Sequence, residues 1–235
     1  LLIGLATLHF LNEEDLEAII SHEYGHFSNK DTIFSYFTYR INHFIETQKK
    51  INFENISLDW SIIVHLPTFI LFNILSYFFS IVTLWHSRRV EYRADEFASN
   101  IVGKQSFSNA LVKFSVFSSI YEDSLPIYVT HLIENKKDPG NIYTFLRKIY
   151  SKECIAGYFK VNLSMKSNLL STHPSISERL ESLNIKSITI KKDFNKTQFI
   201  KNQRKYEKEA SKLMINRILI LKEIANMMYE DKLKE

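Results

Sequence analysis

Apolar residues recur at helical spacing along most of the chain, and the alternating stretches that are typical of strands are scarce. Glycine and proline are also rare, with 5 and 4 residues respectively, so few tight turns are expected. The pattern therefore predicts a mostly α-helical protein. Its first long helix should run from Asn12, a suitable N-cap followed by three acidic residues, to about Asn29.

The longest apolar stretch covers residues 60–87 and contains no residue with a fixed charge. A helix needs about 20 apolar residues to cross a membrane. The length and the lack of charge favour contact with a membrane, and the alternative is a buried core helix of a soluble protein. Further helices are predicted at residues 87–102, 109–121, 141–150, 171–183 and 198–229.

The net charge of +4 is concentrated at the carboxyl-terminal end of the chain. From Ile185 onward there are 13 Lys and Arg against 7 Asp and Glu. We divide the chain into a domain at residues 1–190 and a basic amphipathic helical tail at residues 191–235. Such a tail can touch anionic lipid or nucleic acid, but a solvated helix face is the commoner arrangement. We therefore expect no nucleic-acid partner.

The only cysteine, Cys154, cannot form a disulfide within the chain, so cysteine usage gives no sign of an oxidising compartment.

His22, Glu23 and His26 form an H-E-x-x-H pattern within the first predicted helix. Residues four apart share one face of a helix, so both imidazoles can reach one metal ion. Glu23 then lies beside the metal's open position, where it can take a proton from a bound water. The pattern alone is only moderately specific, because two histidines four apart can also simply flank a helix.

A catalytic zinc usually takes three protein ligands, and Glu91 is the candidate for the third. Glu91 and Asp95 fall on one helical face, and the small residues Ala94 and Ala98 should let this helix approach another closely. Asp95 would then hydrogen-bond a ligand histidine. The alternative is an ordinary charged helix with ion pairs between neighbouring turns.

Together these residues resemble the integral-membrane gluzincin family that contains the HtpX heat-shock proteases and the CaaX prenyl endopeptidases. The resemblance extends over about residues 1–183. Its three blocks are residues 11–26 followed by Asp31, residues 88–98 with E-x-x-x-D, and residues 172–180 with T-H-P-x-x-x-E-R-L.

The resemblance implies a zincin-like helical domain around one Zn²⁺, with the apolar helix inserted between the two zinc-binding motifs. His22, His26 and Glu91 become metal ligands, Glu23 the general base and Asp95 the partner of a ligand histidine. His173 is expected to steady the oxyanion, a role that needs a donor near the developing charge. The alternative for His173 is a cap of the helix near Pro174, and Asp31 and Arg88 are weaker candidates for orienting the site.

We therefore expect a zinc endopeptidase that hydrolyses protein or peptide substrates through a metal-bound water activated by Glu23. The rivals are a catalytically silent membrane scaffold and a zinc hydrolase of a non-peptide bond. Membrane lipid is an expected partner, with the protein integral to the membrane and the active site facing the cytoplasm. Because His26 and Glu91 must share one compartment, residues 32–45 and 60–87 should form an antiparallel pair of helices, with the first shielded by protein and the second facing lipid.

Overall fold

The computed structural model describes residues 3–28, 31–55, 60–135, 141–149, 152–168, 171–188 and 200–232. Within these ranges the chain forms nine helices and no strand, which confirms the predicted fold class. The helices are α1 (Leu5–Phe10), α2 (Glu13–Ser28), α3 (Asp31–Glu54), α4 (Ser61–Val102), α5 (Lys104–Asn135), α6 (Ile142–Ile149), α7 (Lys152–Ser164), α8 (Ile176–Ser182) and α9 (Gln203–Lys232).

The chain divides into two compact units. The first unit consists of Leu1–Leu16, Asn109–Ser164 and Thr189–Glu235, and the second unit consists of Glu17–Ser108 and Met165–Ile188. All the predicted site residues fall within the second unit. The predicted division of the chain at residue 190 remains a prediction, since residues 189–199 lie outside the described ranges.

Helix α2 begins and ends close to where the sequence predicts. The Asn12 side-chain oxygen accepts a hydrogen bond from the Asp15 backbone N–H at 2.7 Å. The Asp15 carboxylate in turn accepts from the Asn12 backbone N–H at 3.2 Å. This reciprocal pair satisfies two of the N–H groups that a helix start leaves unpaired, and so it fixes the beginning of α2.

Helices α3 and α4 form an antiparallel hairpin in the second unit, as predicted. The expectation that protein shields the first of them is wrong, because its large side chains at Ile33, Tyr36, Phe37, Tyr39 and Phe44 are exposed. Phe34 stacks on His86 near one end of the hairpin, and Phe53 contacts Phe69 near the other end. The separate helix expected at residues 87–102 is instead the continuation of α4, a single helix of 42 residues. No glycine or proline interrupts the chain between Pro67 and Gly103, where φ is +87° and the helix ends.

The apolar surface of α4 is largely uncovered. Within the described residues one helix, at His65–Val102, is long and apolar enough to cross a membrane by length and composition, and none of its most apolar part is buried. A core helix of a soluble protein would hide this surface. The exposed side chains include Ile63, Leu66, Ile70, Leu71, Ile74, Leu75, Tyr77, Phe78, Ile81, Val82 and Trp85.

In the first unit, α9 turns a polar face inward. The buried Glu207 carboxylate accepts hydrogen bonds from Asn141 at 2.9 Å and Gln203 at 3.1 Å, and it contacts His9 at 3.0 Å. The amphipathic character predicted for this helix remains a prediction, since its side chains after Arg217 lie outside the described ones.

Other helices also differ from the sequence-based expectation. Helices α1 and α7 were not predicted, and α5 extends well beyond the predicted residues 109–121. Helix α8 begins at Ile176 rather than near Ser171, because Ser175 and Glu178 form a capping box at its start and leave Pro174 before it.

Candidate metal centre

The metal centre depends on a close approach of α2 to α4. A Cβ atom placed on Gly25 would lie 3.0 Å from the Ala94 Cα atom and 3.3 Å from the Phe97 Cβ atom, so no larger residue fits there without movement. Ala94 and Ala98 are fully buried. The expectation that small residues on this helix allow close packing is confirmed, with Gly25 as the partner on α2.

This packing brings His22, His26 and Glu91 together. The Nε2 atoms of the two histidines lie 3.3 Å apart, and the Glu91 oxygens lie 3.5 Å from His22 Nε2 and 3.9 Å from His26 Nε2. Ligands about 2.1 Å from a tetrahedral zinc ion stand roughly 3.4 Å from one another. The three side chains can therefore hold a metal ion, and two imidazoles with one carboxylate form a donor set that suits zinc.

Asp95 sets the orientation of the His22 ring. The His22 Nδ1 atom lies 3.0 Å from Asp95 Oδ1, and Asp95 is completely buried. A hydrogen bond from Nδ1 to this carboxylate leaves the Nε2 lone pair for a metal. Burial lowers the pKa of His22, but hydrogen bonds to Asp95 and Glu91 outweigh burial and raise it overall. On the other side, the buried Phe107 ring stacks against the imidazole.

Arg179 is a site residue to which the sequence analysis gave no role. Its guanidinium is buried and donates to Asp95 from Nε at 2.8 Å and from Nη2 at 2.5 Å. Its Nη1 atom lies 3.4 Å from Glu91 Oε2. One arginine thus contacts both carboxylates of the centre. The one sequence feature that could have identified Arg179 is its place within the T-H-P-x-x-x-E-R-L block. Nothing in the neighbouring sequence indicates that its partner is Asp95, 84 residues away.

Glu91 stays ionised in this environment. Burial raises the pKa of its carboxyl group, but the hydrogen bond with His22 and the charge of Arg179 bring the pKa down to about 2. Glu91 also lies outside the apolar part of α4, four residues after the uncharged stretch that ends at Ser87. An ionised carboxylate is the form that ligates a cation.

His173 lies beside Glu91, with its Nδ1 atom 2.8 Å from Glu91 Oε1. Its side chain is 69% exposed. The alternative role as a helix cap does not apply, because Ser175 caps α8. His173 is therefore near the candidate metal centre, as the resemblance implies, although its chemical role remains a prediction.

Glu23 follows His22 on α2 and is partly exposed. Among the described residues no hydrogen bond or ion pair engages its carboxylate, which leaves both oxygens available to a water molecule. Arg88 does not reach the ligands; it donates to the backbone carbonyls of Asn168 and Ser171. The Asp31 side chain lies outside the described ones, so its predicted role remains a prediction.

The sequence profile of peptidase family M48 matches residues 2–186. Protease HtpX of Pseudomonas putida (strain W619) is 27% identical over 193 residues, which cover 77% of this chain and 56% of the relative. Protease HtpX of Stutzerimonas stutzeri (strain A1501) is 23% identical over 193 residues, with coverages of 77% and 57%. The chain thus spans little more than half the length of these relatives, and no solved structure matches it.

Proposed function

The chain belongs to peptidase family M48, and on this premise we propose that it is a membrane-associated zinc endopeptidase that hydrolyses protein or peptide substrates. The observation that carries the proposal is the cluster of His22, His26 and Glu91, whose nitrogen and oxygen atoms lie 3.3 to 3.9 Å from one another, beside the unengaged carboxylate of Glu23. A silent scaffold has no chemical need for this combination.

In this proposal His22, His26 and Glu91 hold one zinc ion, and Asp95 keeps His22 Nε2 directed to it. When bound, zinc supplies a Lewis acid that polarises the scissile carbonyl and makes water more acidic. Arg179 contacts both Glu91 and Asp95, so its positive charge offsets part of the cost of burying two acidic side chains.

Glu23 acts as the general base. Its carboxylate takes a proton from the attacking water while the water oxygen bonds to the peptide carbonyl carbon. When the C–N bond breaks, the same proton passes from Glu23 to the leaving amine nitrogen. The products are one carboxylic acid and one amine, so atoms and charge balance.

His173 is proposed to donate a hydrogen bond to the developing oxyanion. The His173 Nδ1 atom contacts the Glu91 carboxylate. In a neutral ring that donates from Nδ1 to this carboxylate, Nε2 carries no proton and can only accept a hydrogen bond. A donor at Nε2 requires the imidazolium form, in which both ring nitrogens carry a proton.

Substitution of the general base tests this function. Glu23→Gln preserves the shape of the side chain but cannot accept the proton, so the variant should retain zinc and lose hydrolysis of casein. Wild-type protein treated with a chelator should lose activity and regain it when zinc is restored. Loss of zinc together with activity in Glu23→Gln would show that Glu23 has another role, and cleavage of an ester but of no peptide would favour a non-peptide hydrolase.

We also propose that the hairpin of α3 and α4 crosses the membrane twice. The 24 residues of α3 extend about 36 Å, enough for a hydrocarbon core about 30 Å thick. The only two tryptophans, Trp60 and Trp85, flank the uncharged part of α4, as interfacial tryptophans do.

The charges on α3 are partly paired within the hairpin. Lys49 binds Glu46 at 2.8 Å, and Glu46 accepts from Ser76 of α4 at 3.3 Å, which lowers the cost of placing them at membrane depth. The arginines that follow Ser87 favour a cytoplasmic active site, because positive residues concentrate on that side.

A further inference from the structure

Arg88 lies on α4 three residues before Glu91, so the two residues share one face of the helix. Whereas Glu91 faces the metal-site histidines, the Arg88 guanidinium contacts the loop that carries His173. We propose that Arg88 is a positioning residue that clamps this loop to α4 and thereby holds His173 beside Glu91. The inference rests on the proposed function, since His173 matters for the reaction only if the chain hydrolyses its substrate at this site.

The two residues that Arg88 contacts, Asn168 and Ser171, are also hydrogen-bonded to each other. Ser171 donates from its backbone N–H to the Asn168 carbonyl at 3.0 Å, and Asn168 donates from its N–H to Ser171 Oγ at 3.0 Å. Arg88 donates from Nη2 to the same Asn168 carbonyl at 2.5 Å and from Nε to the Ser171 carbonyl at 3.3 Å. The planar guanidinium thus donates to Asn168 and Ser171 at the same time. A lysine, with its single ammonium group, cannot reproduce this two-point contact.

Glu178 fixes the flanks of the loop. Its carboxylate accepts from Ser167 Oγ at 2.7 Å and from the Ser175 backbone N–H at 2.9 Å. The ring of Pro174, next to His173, is buried and restricts the backbone at both residues. Between these two anchors, Arg88 bonds the backbone of the loop to α4, the helix that also carries Glu91.

The exposure of His173 makes such a clamp necessary. With 69% of its side chain exposed, little packing surrounds the ring, and its 2.8 Å contact with Glu91 depends on where the backbone is held. Glu91 itself is held independently by His22 and Arg179. Loss of Arg88 should therefore displace His173 and leave the metal ligands in place.

The test compares Arg88→Met and Arg88→Lys in the full chain with the control Arg89→Met. Arg89 has the same charge but stacks on Trp85, with its guanidinium carbon 4.8 Å from the ring centroid, and it does not contact the loop.

We expect Arg88→Met to accelerate amide hydrogen exchange in residues 171–176 at least about tenfold, because two hydrogen bonds to a charged group are lost. Exchange in α2 and the zinc affinity should stay unchanged, and Arg89→Met should match the wild type. Amide exchange in residues 171–176 of Arg88→Lys should be closer to that of Arg88→Met than to that of the wild type.

Kinetics then decide whether the clamp acts through His173. Arg88→Met should lower kcat for casein hydrolysis about tenfold with little change in KM, as is typical when a supporting residue is removed. The double variant with His173→Phe should be no slower than His173→Phe alone. Additive losses of activity, or unchanged exchange in residues 171–176, would overturn the inference. A wild-type chain that cuts no peptide would refute the proposed function, while the exchange comparison would still decide whether Arg88 holds the loop.

Discussion

Arg179 and Asp95 form a buried two-point ion pair directly behind His22, with contacts of 2.8 Å from Nε to Oδ2 and 2.5 Å from Nη2 to Oδ1. Because both Asp95 oxygens are engaged, the carboxylate cannot rotate away from His22 Nδ1, which lies 3.0 Å from Oδ1. The orientation of His22, a proposed metal ligand on α2, therefore depends on an arginine presented by α8.

Arg179→Met should lower the affinity for zinc by about 10- to 100-fold, the usual effect of removing a partner of a metal ligand. The affinity is measured by competition with a chromophoric chelator below the melting temperature. Lys113→Met is the matched control, because Lys113 is a buried cation bonded to Asp15 in the first unit. It should lose stability and keep its zinc affinity. Equal zinc affinities in Arg179→Met and the wild type would refute the role assigned to Arg179.

Gly25→Ala should destabilise the second unit, because the new methyl group would lie 3.0 Å from the Ala94 backbone. Overpacking of this kind costs roughly 1–3 kcal/mol, which offsets or exceeds the ~1 kcal/mol that alanine gains over glycine within a helix. Gly157→Ala in α7 meets no atom within 4 Å and should be stabilising by about 0.5–1 kcal/mol. Thermal melting of both variants checks this contrast, and equal shifts would contradict the close packing of α2 on α4.

The stability of the first unit should fall on acidification through Glu207. Burial raises the pKa of Glu207, but hydrogen bonds from Asn141, His9 and Gln203 outweigh burial and hold the pKa below its ordinary value of 4.5. The unfolded chain thus binds a proton at Glu207 more readily than the folded chain does. The contribution of Glu207 to the free energy of unfolding is therefore complete above about pH 4.5, and it is lost as the pH falls through the lower pKa of the folded state. Between pH 6 and pH 3 the melting temperature should fall more for the wild type than for Glu207→Gln. Parallel melting curves would show that Glu207 contributes nothing to the pH dependence.

Cysteine labelling should place the two ends of the hairpin on one side of the membrane and its turn on the other. In a Cys154→Ser background, single cysteines at Tyr24 and Glu96 should react with an impermeant maleimide from the same side, and a cysteine at Asn55 from the opposite side. All three native side chains are exposed. Labelling of Tyr24 and Glu96 from opposite sides would exclude Glu91 from the metal centre, whereas labelling of all three from one side would show that the hairpin does not cross.

The sequence by itself determined the features that depend on neighbouring residues. His22 and His26 share a helical face because they are four apart, and Asn12 begins their helix through its own side chain. The uncharged character of residues 60–87 likewise follows from composition, and so does the long apolar helix that these residues form, whereas its exposure is seen only in the structure. These features result from local periodicity and capping, which a sequence displays directly.

The tertiary structure decided which distant residues complete the centre. Glu91 reaches the histidines because Gly25 and Ala94 let two backbones approach, and the contact of Arg179 with Asp95 joins residues 84 positions apart. The continuity of α4 and the late start of α8 at Ile176 were likewise settled by the structure. Such contacts depend on how helices pack, and residue spacing carries no information about packing between segments that are far apart in the chain.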